Sequence, residues 1–200
     1  MKKLFSAFLL CVLAIAASAQ QNETYYGVKA GFNLSDLSAV PSSKMKPGFY
    51  LGGFAESFLI NEFSLQIEAA YSRQGNIINN LRVNNYDVKR IIHLDYLNIV
   101  VLGKFYPAEA FSLNAGLQAG MLLNNRIIDE RDGSKTKVSY NHAFQSADLS
   151  VVLGASYKIL PYLEASARYN LGITKVVSAS GLWSSSVKNR VIQVGLGYIF

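Results

Sequence analysis

The chain has one cysteine in 200 residues, Cys11, and it lies inside the N-terminal stretch MKKLFSAFLLCVLAIAASAQ. The rest of the chain can therefore form no internal disulfide and offers no thiolate to a metal. Histidine is nearly as scarce, with His93 and His142 alone. They and the scattered carboxylates show no metal-ligand spacing, and no cofactor is expected. Long apolar runs are missing too. Beyond residue 20 no segment is apolar over the eighteen or more residues that a transmembrane helix needs. A membrane role must then use strands. Helical periodicity is almost absent, and the glycines match no phosphate-cradling motif followed by a helix.

What is present begins with a leader. Lys2 and Lys3 precede an apolar run from Leu4 to Ala17, and Ala17-Ser18-Ala19 forms an A-x-A cleavage site. The expectation is a signal peptide over 1–19, cut between Ala19 and Gln20, and one domain over 20–200. Cys11 follows Leu10 rather than a small residue, and apolar sequence continues after it, which argues against lipidation. Loss of Lys2 and Lys3 lowers the net charge from +6 to +4. An excess of bases can mark a nucleic-acid partner, but an exported chain has no such partner to meet.

The body of the chain alternates with period two. In YYGVKAGFN (Tyr25–Asn33), Tyr26, Val28, Ala30 and Phe32 share one face. Phe63–Ser72, Phe111–Leu122, Ala147–Ile159, Tyr162–Ile173 and Val191–Phe200 repeat the pattern. Gly48–Ile60 reads in either phase, and placing Phe49, Leu51 and Ala55 outward puts Glu56 with the polar residues. In Ile91–Tyr106, Leu97, Ile99, Val101 and Phe105 oppose Asn98 and Lys104. These segments predict eight strands. Tight connections at Asn61-Glu62, Pro107–Ala110 and Leu160-Pro161 alternate with long ones at about Leu34–Pro47, Gly75–Arg90, Asn124–Ser146 and Thr174–Asn189. Short turns at one end and long loops at the other predict an all-β, antiparallel, eight-stranded transmembrane β-barrel of the outer membrane. Its termini and short turns are expected in the periplasm and its long loops outside the cell.

A soluble up-and-down barrel shows the same alternation with its apolar face inward. Two features favour lipid. The polar face is rich in glycine, which suits a crowded interior better than a solvated surface. Large aromatics of the apolar face cluster near both ends of the strands, as interfacial girdles do. With this phasing Lys29, Lys104, Lys158 and Arg168 point inward with Glu56, Glu68, Asp148 and Glu164. Four bases against four acids in a narrow interior predict a lumenal charge network that plugs the barrel. The remaining bases, from Lys44 to Arg190, fall in or beside the long connections and form a basic collar suited to lipopolysaccharide phosphates.

Catalysis has one weak candidate. His93 and Asp95 share a face at the loop end of their strand, and His142 lies in a serine-containing loop, so a rim constellation is conceivable. No local motif singles out a nucleophile, and the chain is read as non-enzymatic. Trp183 in SGLWSSS is a loop aromatic that either anchors a partner or dips to the interface.

The segments AAYSRQG, LDYLNIVVLGKFYP, ARYNLGITKV and QVGLGYIF resemble the porin-family, PorT-like outer-membrane β-barrel domain of Bacteroidetes. Where that family often has an acidic residue and a proline, this chain has Asn98 and Val100. The resemblance implies fold and location more than biochemistry. The chain is accordingly read as a monomeric barrel with a structural or surface-interaction role. The alternatives are a narrow channel for small solutes and an accessory barrel of secretion or gliding machinery. The ending VIQVGLGYIF carries Ile192, Val194, Leu196, Tyr198 and Phe200 on one lipid-facing stripe. A terminal aromatic after such alternation resembles the signal read by the barrel-assembly machinery, a partner during biogenesis.

Overall fold

In the computed structural model, residues 23–38, 42–83, 86–131, 134–138, 144–176 and 187–200 are described. The leader, with its Ala19/Gln20 junction, lies outside them, as do His142 and Trp183. Nine strands follow in order: β1 (Thr24–Leu37), β2 (Ser43–Ile60), β3 (Phe63–Val83), β4 (Tyr86–Ala108), β5 (Phe111–Arg131), β6 (Ser134–Val138), β7 (Ala147–Leu160), β8 (Leu163–Gly172) and β9 (Asn189–Ile199). Eight of them close a ring, β1–β2–β3–β4–β5–β7–β8–β9, and β9 returns to β1. Every neighbouring pair is antiparallel. The sheet thus has no free edge along the ring, and its backbone donors and acceptors satisfy one another, as a wall facing hydrocarbon requires. The ninth strand, β6, is an addition to the expected eight. It pairs with the end of β5, Arg131 opposite Ser134 and Ile127 opposite Val138.

The outward face is apolar. Phe32, Leu51, Leu117, Leu153, Val194 and Leu196 are all exposed, as residues that meet lipid must be. Aromatic rings gather at both margins. Phe63 and Phe105 stack with centroids 4.8 Å apart, and Tyr198 lies 5.8 Å from both Tyr162 and Phe200, all at the short-turn end. Phe49 and Tyr71 meet at 5.8 Å near the opposite end.

The glycines of the inner face have a specific use at the β1/β9 seam. Gly31 and Gly195 stand directly opposite each other. A Cβ on Gly31 would come within 2.2 Å of the Val194 carbonyl oxygen, and one on Gly195 within 2.3 Å of the Tyr50 hydroxyl. The bare seam lets the inward Tyr50 ring of β2 lie across it.

The long connections expected at Leu34–Pro47, Gly75–Arg90 and Asn124–Ser146 are largely strand. β3, β4 and β5 run to 21, 23 and 21 residues, against 10 and 11 for β8 and β9. The wall is therefore taller on one side. The charges that read as loop markers are cross-strand partners there. Arg90 stands opposite Asp129 and Lys89 opposite Glu130. A register shift in β5, where Leu122 and Asn124 pair with the consecutive residues Tyr96 and Asp95, restores Ile127 to the inner face for the upper wall.

Candidate functional site: a closed lumen

The interior is built in tiers. At the short-turn mouth stand Phe58 and Tyr106, rings 5.3 Å apart, with the Lys158 ammonium 5.4 Å and 5.1 Å from their centroids. Above them lies a network of buried charge. Lys104 Nζ donates to Glu56 Oε2 at 3.0 Å, to Glu164 Oε2 at 2.8 Å and to Gln66 Oε1 at 3.1 Å. Gln66 Nε2 donates in turn to Glu68 Oε1 at 2.5 Å. Glu68 also accepts from Lys29 Nζ at 2.5 Å and from Arg168 at 2.9 Å. Ser64 and Tyr106 complete the shell of Glu56 at 2.5 Å each.

The topology makes these bonds a plug. β3 and β8 sit opposite each other in the eight-strand ring, so the Arg168–Glu68 pair spans the lumen. Lys104 ties β4 to β2 and β8 at once. Lys29, Glu56, Glu68, Lys104, Glu164 and Arg168 are all buried. Charges this deep are costly unless each has its partner, and these six have.

The two other predicted lumenal charges stand apart. Asp148 and Lys158 belong to the same strand ten residues apart, about 33 Å along it. Neither reaches the six. Lys158 lies in the aromatic mouth, and Asp148 lies near the far end, bonded to Thr174 Oγ1 at 2.8 Å and Asn189 Nδ2 at 3.5 Å.

Above the charged tier come neutral polar groups. Asn33 Nδ2 donates to Ser72 at 3.0 Å and Asn170 to Gln118 and Gln193 at 3.1 Å each, while Asn114, opposite Lys104, donates to Ser156 at 2.7 Å within the charged tier itself. The long-connection end is then closed by an apolar stopper. Leu37, Ile78, Ile92, Leu94, Tyr96, Ile127, Phe144, Val176 and Val187 form one buried cluster. Most come from the tall β3–β5 wall, whereas Phe144, Val176 and Val187 come from the segments leading into β7, out of β8 and into β9. Gln145 N to Val176 O at 2.7 Å and Val176 N to Val187 O at 2.9 Å hold those segments over the opening. Residue alternation alone does not reveal this stopper, because Phe144, Val176 and Val187 lie outside the strands.

The basic collar is only partly a free surface. Lys46 is buried and donates to the Gln74 carbonyl at 3.3 Å. Arg90 is buried and grips Asp129 with two bonds of 2.7 Å. Arg73 pairs with Asp95 at 3.0 Å on the outer face. Lys44, Arg126, Arg131, Lys175 and Arg190 are exposed. Of the rim constellation, His93 stands on the outer face two residues from Asp95, whose carboxylate is engaged by Arg73. His142 lies outside the described residues.

A closed antiparallel ring with an apolar exterior and a polar, plugged interior is the architecture of an outer-membrane barrel. The model of the outer membrane protein beta-barrel domain matches residues 18–178 of the sequence. The chain belongs to that family. As a member of the outer-membrane barrel family it is placed in the outer membrane. Its fold is shared by neisserial surface protein A, at 19% identity and TM-score 0.53, with 88% of this chain and 97% of that one covered. Ail, the attachment invasion locus protein of Yersinia pestis, is similar at 18% identity and TM-score 0.53, covering 89% of this chain and 99% of its own. Among curated proteins, none matches the sequence. The family match is to the barrel domain in general and does not single out its PorT-like branch.

Proposed function

We propose that this barrel is a non-enzymatic surface platform rather than a conduit, with its long-connection end toward the cell exterior. The observation that carries this reading is the double closure of the lumen, by ion pairs that cross it and by the apolar stopper above them. A solute would have to displace both. What remains available for interaction is the tall rim of β3, β4, β5 and β6.

Planar-bilayer recording tests the proposal against the narrow-channel alternative. The wild-type barrel is expected to show no steady conductance. Arg168→Ala combined with Ile92→Ala, which removes part of each closure, is expected to leak. Steady wild-type current that lumenal substitutions abolish would replace the platform with a channel.

Two contacts with the envelope complete the proposal. The exposed Lys44, Arg126, Lys175 and Arg190 are suited to the phosphates of the outer leaflet. Changing all four to glutamate should reduce co-purifying lipopolysaccharide, and unchanged lipid content would remove that role. At the opposite end Phe200 is 75% exposed, with its amide bonded to the Tyr26 carbonyl at 2.9 Å. We read the stripe Ile192, Val194, Leu196, Tyr198 and Phe200 as the handle for barrel assembly. Deleting Phe200 should slow insertion, and normal insertion kinetics would rule the handle out.

A further inference from the structure

Asp148 is the exception in the interior. Glu56, Glu68, Glu164 and Asp129 each have a cation at 3.0 Å or less. Asp148 is 4% exposed, and its partners among the described residues are neutral: the Thr174 hydroxyl, the Asn189 amide, Ser150 and the Leu149 backbone. The buried Lys46 is separated from it by Gln74 and Asn189, which bond to each other.

Three buried oxygens on residues near this carboxylate have no hydrogen-bond partner. Asn98 Oδ1, Asn189 Oδ1 and the Tyr96 hydroxyl are buried without a hydrogen-bond partner. Their residues are 3%, 2% and 1% exposed. Register brings Asn98 into the row of Asp148. Asn98 of β4 stands opposite Gly120 of β5, and Gly120 stands opposite Asp148 of β7. Gly120 has no side chain, so the Asn98 amide extends over it toward the Asp148 strand. A Cβ placed there would lie 2.7 Å from Asn98 Oδ1, 3.3 Å from the Tyr96 ring and 3.7 Å from the Asp148 carbonyl oxygen. Asn189 closes the other side by donating from Nδ2 to Asp148 Oδ2 at 3.5 Å.

We propose that Asp148, Asn98 and Tyr96 form a binding site for a single monovalent alkali cation over Gly120, beneath the apolar stopper, with Asn189 holding the carboxylate from the other side. One carboxylate and neutral oxygens are the donor set of a hard cation. The charge count selects a monovalent ion, since it neutralises Asp148, whereas a divalent ion leaves a positive charge buried. Such an ion would tie β4 to β7 where the ion-pair network does not reach.

The test uses the full folded barrel in neutral detergent, unfolded thermally in choline chloride and then in sodium or potassium chloride at equal ionic strength. Sodium or potassium should raise the unfolding temperature saturably, by about 5 °C at a hundredfold excess over its Kd. Asp148→Asn removes the charge in the same shape. Gly120→Ala fills the space against the mobile end of Asn98. Both variants should fold and lose the cation response. An equal unfolding temperature in all salts would overturn the site and leave only water on these oxygens. So would a response retained in both variants. A larger gain from magnesium or calcium than from either alkali ion would overturn the monovalent assignment.

Discussion

The two halves of the lumen are closed by different chemistry. Near the short turns the closure is charged, with Lys104, Arg168 and Lys29 reaching to carboxylates on other strands. Near the long connections it is chiefly apolar; Arg90 and Asp129 pair on the wall there, and Asp148 has no cation among the described residues. The walls explain the contrast. In the lower half nothing but strand side chains is available, and long flexible ones are needed to meet across an eight-strand ring. In the upper half the taller β3–β5 wall and the segments around Phe144, Val176 and Val187 bring backbone over the opening. Short apolar side chains then suffice. Ionic closure depends on complete pairing, whereas apolar closure depends on packed volume.

That contrast can be broken from either side. The largest effect is expected for Lys104→Met, which strands Glu56 and Glu164 together in the interior. Breaking a buried pair in this way costs about 3–5 kcal/mol, read as a shift in the urea unfolding midpoint of the micellar barrel. Ile92→Ala, at a fully buried position of the stopper, should cost less, about 2–4 kcal/mol, with the loss set by how far the cavity collapses. Arg73→Ala breaks an ion pair on the outer face, where the arginine side chain is 42% exposed. It should cost below about 1 kcal/mol and less still at high salt. The smallest effect belongs to Asp148→Asn. In choline buffer it should change stability by less than about 0.5 kcal/mol or raise it, since it removes an unpaired buried charge. If Lys104→Met proved as mild as Asp148→Asn, the two halves would not differ in the way described.

Much of the barrel was legible because a strand in a membrane wall obeys one rule at every position. Alternation placed Val28, Leu117 and Val194 outward and Lys29, Gln118 and Gln193 inward, as they are found. The rule weakened where the wall rises past the lipid. There Lys89, Arg90, Asp129 and Glu130 resemble loop residues, yet they pair across β4 and β5. Beyond the hydrocarbon layer a strand no longer needs an apolar face, so composition ceases to distinguish it from a loop. For the interior, the inward direction of eight charges followed from phase. Which of them meet depended on height along the barrel, and that is a property of register between strands.

The sequence by itself determined the class of structure: strands of membrane-spanning length, their two faces, their tight turns and the aromatic margins. Those are set by residue period and by the solvent each face meets, and both are local. Only the tertiary structure decided which six charges form one network, that Asp148 and Lys158 stand outside it, and that three residues from outside the strands help stopper the mouth. Pairing across a ring requires side chains from strands as far as 100 residues apart, as in Arg168 and Glu68, to arrive at the same height. No local pattern encodes that coincidence.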